Sequence, residues 1–226
     1  PLVVAAAFLA LAVAVRAGVQ GVFLINHDFP MAPFLPIVNA VRSAFPGLWL
    51  GVNFLAQPGS VGFPALGRLA AAGADIDACW ADDARIDERA DTQAEAEAIA
   101  RARAASGWRG LYFGGVAFKK QRPVAPDEEG AAARRAIPFV DVVTTSGAAT
   151  GEAADRAKIG RFRKALGDRP LALASGVTPE NAAGYCEDVD VFLVATGINR
   201  RGDFYTIDPG RLAALLAVAR DHGACQ

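Results

Sequence analysis

Short apolar runs alternate with helix-forming stretches along almost the whole chain, at intervals of roughly 25 to 35 residues. Val19–Asn26, Leu48–Phe54, Ile76–Trp80, Gly110–Phe118, Phe139–Thr145, Leu171–Ala174 and Val189–Ala195 read as strands. Ala5–Ala17, Pro36–Ala44, Val61–Ala72, Thr92–Ala105, Asp127–Ala136, Ala154–Leu166 and Pro209–His222 read as helices. The strands are short and mostly apolar, which suits burial on both faces of a parallel sheet with helical crossovers. At 226 residues, 53% of them hydrophobic, the chain suits one domain spanning 1–226, slightly below the ~250 usual for a (β/α)8 barrel. An eighth strand must come from the start, at Leu2-Val3-Val4 or upstream of Pro1, so an α/β (β/α)8 TIM barrel is expected with a truncated or atypical first strand. The alternative is an open doubly wound sheet. Against it, no G-x-G-x-x-G follows the first strand, and the glycine turns fall at the end, where phosphate-binding barrels carry them.

Other features exclude whole classes. Leu2–Val15 is an unbroken apolar run, shorter than the ~20 residues of a membrane-spanning helix and without a basic leader before it. It reads as a buried, alanine-rich helix. The net charge of -1 gives no electrostatic ground for a nucleic-acid partner. Cys79, Cys186 and Cys225 are odd in number and unpaired in spacing, which fits a reducing, cytoplasmic setting. His27 and His222 are the only histidines, and no C-x-x-C or H-E-x-x-H occurs. A divalent cation on Asp77, Asp28 and further oxygen ligands is conceivable, but no spacing demands it.

The segment Pro170–Asn199 carries the strongest ligand signal. Leu171–Ala174 ends at Ser175-Gly176-Val177, Thr178-Pro179-Glu180 has helix-start chemistry, and Val189–Ala195 ends at Thr196-Gly197. Glycine turns on consecutive units can form a cup whose backbone N–H groups hold a phosphate without a charged side chain. A third small-residue loop, Ser146-Gly147 through Glu152, follows the strand before them. Ser146, Gly147, Ser175, Gly176, Val177, Thr196 and Gly197 are therefore the candidate binding residues.

Chemistry in a barrel gathers at the C-terminal strand ends. Histidine is the side chain suited to act as acid or base near neutrality, and His27 follows the first explicit strand. Asp77 shares a strand face with Cys79 and, if that face is interior, is a buried carboxylate in need of a partner. Lys119, beside Lys120, can polarise a carbonyl or bind a phosphate, and a Schiff base would need its pKa depressed. His27, Asp77 and Lys119 are the candidate catalytic residues. Asn53, Asp82, Thr144 and Asn199 also fall at strand ends.

The segments TSGAATG, SGVTPENAAGY and ATG followed by DPGR, with GVQGVFLINHDF, GVNF and AAGADID upstream, resemble the BtpA family. The resemblance covers about residues 18 to 220. It implies a TIM barrel related in fold to the ribulose-phosphate-binding barrels, in a family linked to photosystem I accumulation. The NHDF and DACWADD segments depart from the family pattern. The function expected is that of an enzyme of isomerase or lyase type acting on a small phosphorylated ligand, with room for homo-oligomerisation. A non-catalytic scaffold or assembly factor is the alternative.

Overall fold

A computed structural model describes residues 2–27 and 30–223. Seven parallel strands form one sheet in strictly sequential order: β1 (Val22–Ile25), β2 (Leu50–Asn53), β3 (Ala78–Ala81), β4 (Leu111–Gly115), β5 (Val142–Ser146), β6 (Leu171–Ala174) and β7 (Val191–Leu193). Helices α1 (Leu2–Ala17), α2 (Met31–Ala44), α3 (Gly59–Ala71), α4 (Ala94–Ser106), α5 (Glu129–Ala136), α6 (Arg156–Leu166) and α7 (Pro209–Asp221) supply the outer layer. Sequential order is the winding of a barrel; a doubly wound sheet would reverse direction midway. Among the described residues β1 and β7 do not pair, so the barrel is open at one seam. Every residue of β2 is buried, whereas β1 and β7 are only half-buried, as edge strands are.

Two expectations need correction. Leu2-Val3-Val4 is not a first strand: it opens α1. Thr178-Pro179-Glu180 does not start an α-helix. Asn181 Oδ1 accepts the Thr178 N–H (2.8 Å) and Asn181 Nδ2 donates to the Gly176 carbonyl (2.8 Å), which closes a turn. Only a single 3-10 turn follows, Ala182–Tyr185. The final helix starts as its sequence implies, with Asp208 accepting the N–H groups of Gly210 and Arg211 and Pro209 in the first turn.

The strand alternation sorts side chains into two cores. Leu50, Val52, Cys79, Val143, Leu171 and Leu173 face the helices. Ala78, Trp80, Phe113, Val142, Ala172 and Ala174 face the barrel axis, with Phe23 and Trp49 beside them. Phe23 of β1 reaches across this interior to Trp80 (5.9 Å between ring centroids) and Phe113 of β4 (5.2 Å), both edge-on. The axis is therefore plugged, and open space lies only above or below the plug.

At the N-terminal strand ends one polar device occurs three times. Arg42 in α2 holds Asp77 (Nη2–Oδ2 2.5 Å), Arg103 in α4 holds Asp141 (2.5 Å), and Arg163 in α6 holds Asp190 (2.5 Å). Each aspartate immediately precedes a strand, and its Oδ2 also accepts a backbone N–H from the preceding strand: Leu50 (2.8 Å), Tyr112 (2.7 Å) and Leu171 (2.8 Å). The aspartate's own N–H returns a bond to the carbonyl of that same residue. One carboxylate thus ties a helix end to two adjacent strands with charge-assisted bonds. We expect Asp141→Ala to lower stability by about 1–3 kcal/mol in urea unfolding, because it strips a backbone N–H and a guanidinium of their shared acceptor. Exposed Asp168→Ala should leave the midpoint unchanged.

Candidate active site

Backbone strain is concentrated at the opposite end of the barrel. Among the described residues the non-glycine residues with positive φ are Ala56 (60°), Arg85 (59°), Ala117 (44°), Lys120 (66°) and Ser175 (69°). All five lie in segments that follow a strand, on the C-terminal face. Such conformations cost of order 1–3 kcal/mol each and persist where the surroundings hold them. Glu88 and Arg122 supply part of that hold, joining the β3–α4 and β4–α5 loops through a charge pair (Nη1–Oε1 2.8 Å). Gln93 supplies another part by bonding the backbone of Asp87 in both directions.

The mouth has an aromatic floor and polar walls. Phe118 packs against Trp80 (6.0 Å) and closes the inner core from above. The Lys119 ammonium sits 5.7 Å from the centroid of the Phe118 ring and bonds the Thr150 hydroxyl (3.2 Å). The backbone N–H of Lys119 donates to Ser146 Oγ (2.8 Å). Burial lowers the Lys119 pKa from the ordinary lysine value; the nearby Asp82 carboxylate opposes the shift and the Lys120 charge adds to it. Asp82 in turn accepts a bond from Asn53 Nδ2 (2.9 Å). A second lysine, Lys158 in α6, donates to the carbonyls of Ala117 (2.6 Å) and Ser146 (2.8 Å), so its charge is spent on holding the two loops that flank Lys119. Burial lowers its pKa as well.

Three buried polar atoms on axis-facing positions have no hydrogen-bond partner among the described residues: Asn53 Oδ1, Trp80 Nε1 and Thr144 Oγ1. Their residues are 1%, 9% and 0% exposed. Asn53 is paired in register with Trp80, and Thr144 with Gly115 of β4. Buried groups of this kind are normally satisfied by protein, water or ligand, and these three lie on β2, β3 and β5.

The glycine turns stand beside this mouth. Ser175 and Gly176 both have positive φ. Gly176, Val177 and Gly197 are buried, and among the described residues their N–H groups donate to no protein acceptor. Glycine is required at position 176 by packing as well as by φ, and at position 197 by packing. A side chain at Gly176 would run into the Glu152 carbonyl, and one at Gly197 into that of Val177. The loop containing Gly147 and Glu152 is thereby laid against the β6 turn, where Ser175 Oγ accepts the Gly151 N–H (3.1 Å). Arg211 of α7 fixes the outer side, donating to the Gly197 carbonyl (2.9 Å) and, through both terminal nitrogens, to Glu180. Bonds from the Thr178 hydroxyl, from its own backbone N–H and from Arg211 hold Glu180 at a pKa of about 2.

Of the residues named from sequence, Ser146, Gly147, Lys119, Ser175, Gly176, Val177, Thr196 and Gly197 all lie on this face. Asp77 does not. It sits before β3, at the N-terminal end, in the Arg42 bridge described above. The alternation that grouped it with Cys79 is correct, but that face packs on the helices, and burial pushes the Cys79 thiol up to about 12. Asp82 occupies the position at the mouth, four strand and loop residues beyond Ala78, on the inward parity of Trp80. His27 is at the rim, its ring edge-on to Phe204 (5.2 Å) from the loop before α7. Asp28, the second carboxylate of the cation arrangement, lies outside the described residues. Among the described residues no three His, Cys, Asp or Glu side chains gather as a metal site would require.

No family model and no curated protein sequence matches the chain. Solved structures do match in fold. Phosphoribosylanthranilate isomerase from Thermotoga maritima aligns over 93% of this chain and 93% of its own, with TM-score 0.65 and 15% identity. The Thermus thermophilus isomerase aligns over 93% and 92%, with TM-score 0.61 and 17% identity. Dihydrodipicolinate synthase from Bacteroides thetaiotaomicron aligns over 84% of this chain and 62% of its own, with TM-score 0.58 and 14% identity. The chain therefore has the fold of these barrels, open at the seam between β1 and β7.

Proposed function

We propose that the chain is an enzyme acting on a small phosphorylated metabolite, by proton transfer of the isomerase or carbon–carbon lyase kind. The observation that carries this reading is the set of partnerless buried atoms on Asn53, Trp80 and Thr144, in one mouth with Lys119 and Asp82 and beside the unpaired N–H groups of Gly176, Val177 and Gly197. The amide groups take the phosphate, with Ser146, Gly147, Ser175 and Thr196 shaping the loops around it. The Asn53, Trp80 and Thr144 atoms take hydroxyl or carbonyl oxygens of the ligand body. Asp82, oriented by Asn53, exchanges a proton with a carbon or oxygen of the ligand, and the Lys119 ammonium stabilises the oxyanion that develops. His27 with Phe204 borders the entrance.

Fold likeness supports the phosphate part of the reading. One solved phosphoribosylanthranilate isomerase of this fold is a complex with reduced 1-(o-carboxyphenylamino)-1-deoxyribulose 5-phosphate, so a barrel of this shape accommodates a phosphorylated ligand. The BtpA-like segments TSGAATG and SGVTPEN form two of the loops assigned to the phosphate, and membership of that family is part of the same proposal. A cytoplasmic setting goes with it. Among the described residues no helix is long and apolar enough to cross a membrane.

Two measurements test the assignment. Inorganic phosphate, followed by 31P line broadening, is expected to bind the full chain, and Gly197→Ala to weaken that binding at least tenfold while the circular dichroism spectrum is kept. Equal binding by the two proteins removes the glycine turns from the site. Solvent deuterium exchange into a panel of three- to six-carbon sugar phosphates is expected to reveal a substrate. On that substrate Asp82→Asn should reduce turnover by about 10²–10⁴. An unchanged rate would exclude Asp82 as the proton carrier.

A further inference from the structure

Lys119 is set apart from the chain's other lysines, Lys120, Lys158 and Lys164. Lys158 donates to two carbonyls, and Lys120 and Lys164 are exposed. Lys119 has its ammonium 5.7 Å from the centroid of the Phe118 ring at the floor of the mouth, makes no ion pair within 4.0 Å among the described residues, and donates its one side-chain hydrogen bond there to a neutral hydroxyl. A half-buried amine beside a second lysine and without an ion-pair partner is the setting that turns a lysine into a nucleophile, and the Asp82 carboxylate nearby is available to take its proton.

We propose that Lys119 forms an imine with the carbonyl carbon of a phosphorylated aldehyde or ketone bound in this mouth. The proposal rests on the phosphate-handling reading above and adds the class of substrate and the covalent step. The neutral Nζ adds to the carbonyl carbon: a C–N bond forms and the C=O π pair moves to oxygen. That oxygen collects two protons and leaves as water as the C–O bond breaks. Two of the three ammonium hydrogens thus depart with the oxygen, and the iminium keeps one hydrogen and the single positive charge. Asp82 is the base that takes the first proton from the ammonium and the acid that returns it to the departing oxygen. No oxidant or reductant enters. The loss of pKa that burial imposes on Lys119 is in the direction the step needs.

Borohydride trapping tests both layers separately. The full chain is incubated with glyceraldehyde 3-phosphate, and in parallel with unphosphorylated glyceraldehyde, then reduced, digested and mapped by mass spectrometry. The expected result is an adduct on Lys119 at least tenfold above that on Lys120 or Lys164, although both are more exposed, and none in its place in Lys119→Arg. A phosphate-bearing aldehyde should label at a lower concentration than glyceraldehyde, and inorganic phosphate should compete. Preferential Lys119 labelling by both aldehydes at equal concentration supports the imine and removes the phosphate cup. Adduct on Lys120, Lys158 or Lys164 at or above the level on Lys119, or none on Lys119 with either aldehyde, overturns the proposal.

Discussion

A carboxylate shared by a guanidinium and two strands is the interaction on which the rest of the barrel depends. Parallel strands only a few residues long have little to fix their register, since a slip by one residue exchanges inward and outward faces. In this chain the register is pinned at the bottom of alternate strands by Asp77, Asp141 and Asp190. Each bridge also anchors the helix that feeds the strand pair, through Arg42, Arg103 and Arg163. The residue in the corresponding place before β1 is Gly21, so the device stops at the seam. Once these ends are fixed, Asn53, Trp80, Asp82 and Thr144 have to face the axis.

That division of labour frees the other end. Positive-φ residues, unpaired amides and buried polar atoms without partners would each cost stability in an isolated loop. Here they sit together above a packed aromatic plug, on loops cross-linked by Glu88–Arg122, by Lys158 and by Arg211. Two of the cations near the site are structural for this reason. Lys158 and Arg211 hold carbonyls, whereas Lys119 is left with a hydroxyl and a ring.

Much of this was legible in the residues, for reasons that also explain what was not. The βα period and the late glycine turns are local patterns, and they led to the barrel and to the loops on its C-terminal face, where strand-end position also places Lys119. Asp77 was misplaced because alternation gives parity but not phase: only packing shows that Ala78 and Trp80, not Asp77 and Cys79, point to the axis. The strand also begins later than its apolar run, at Ala78, which moves Asp77 to the bottom and Asp82 to the mouth. The signal for the bridges was present in the sequence: an arginine near the end of α2, α4 and α6, and an aspartate directly before the next strand but one. It is a long-range pairing, invisible to a period of two or 3.6. Thr178-Pro179 failed as a helix start because Asn181 closes a turn on Gly176 first.

The open seam has a geometric consequence. In a closed barrel the radius follows from strand number and shear, and side chains merely fill what closure leaves. A sheet with two free ends has no such quantised radius. Its curvature must be set from within, and the object that sets it is the stack of Phe23, Trp49, Trp80, Phe113 and Phe118. These rings act as a mandrel around which the strands are bent. The diameter of the mouth, and with it the spacing between Lys119 and the glycine turns, is then a property of aromatic packing well below the residues that line it.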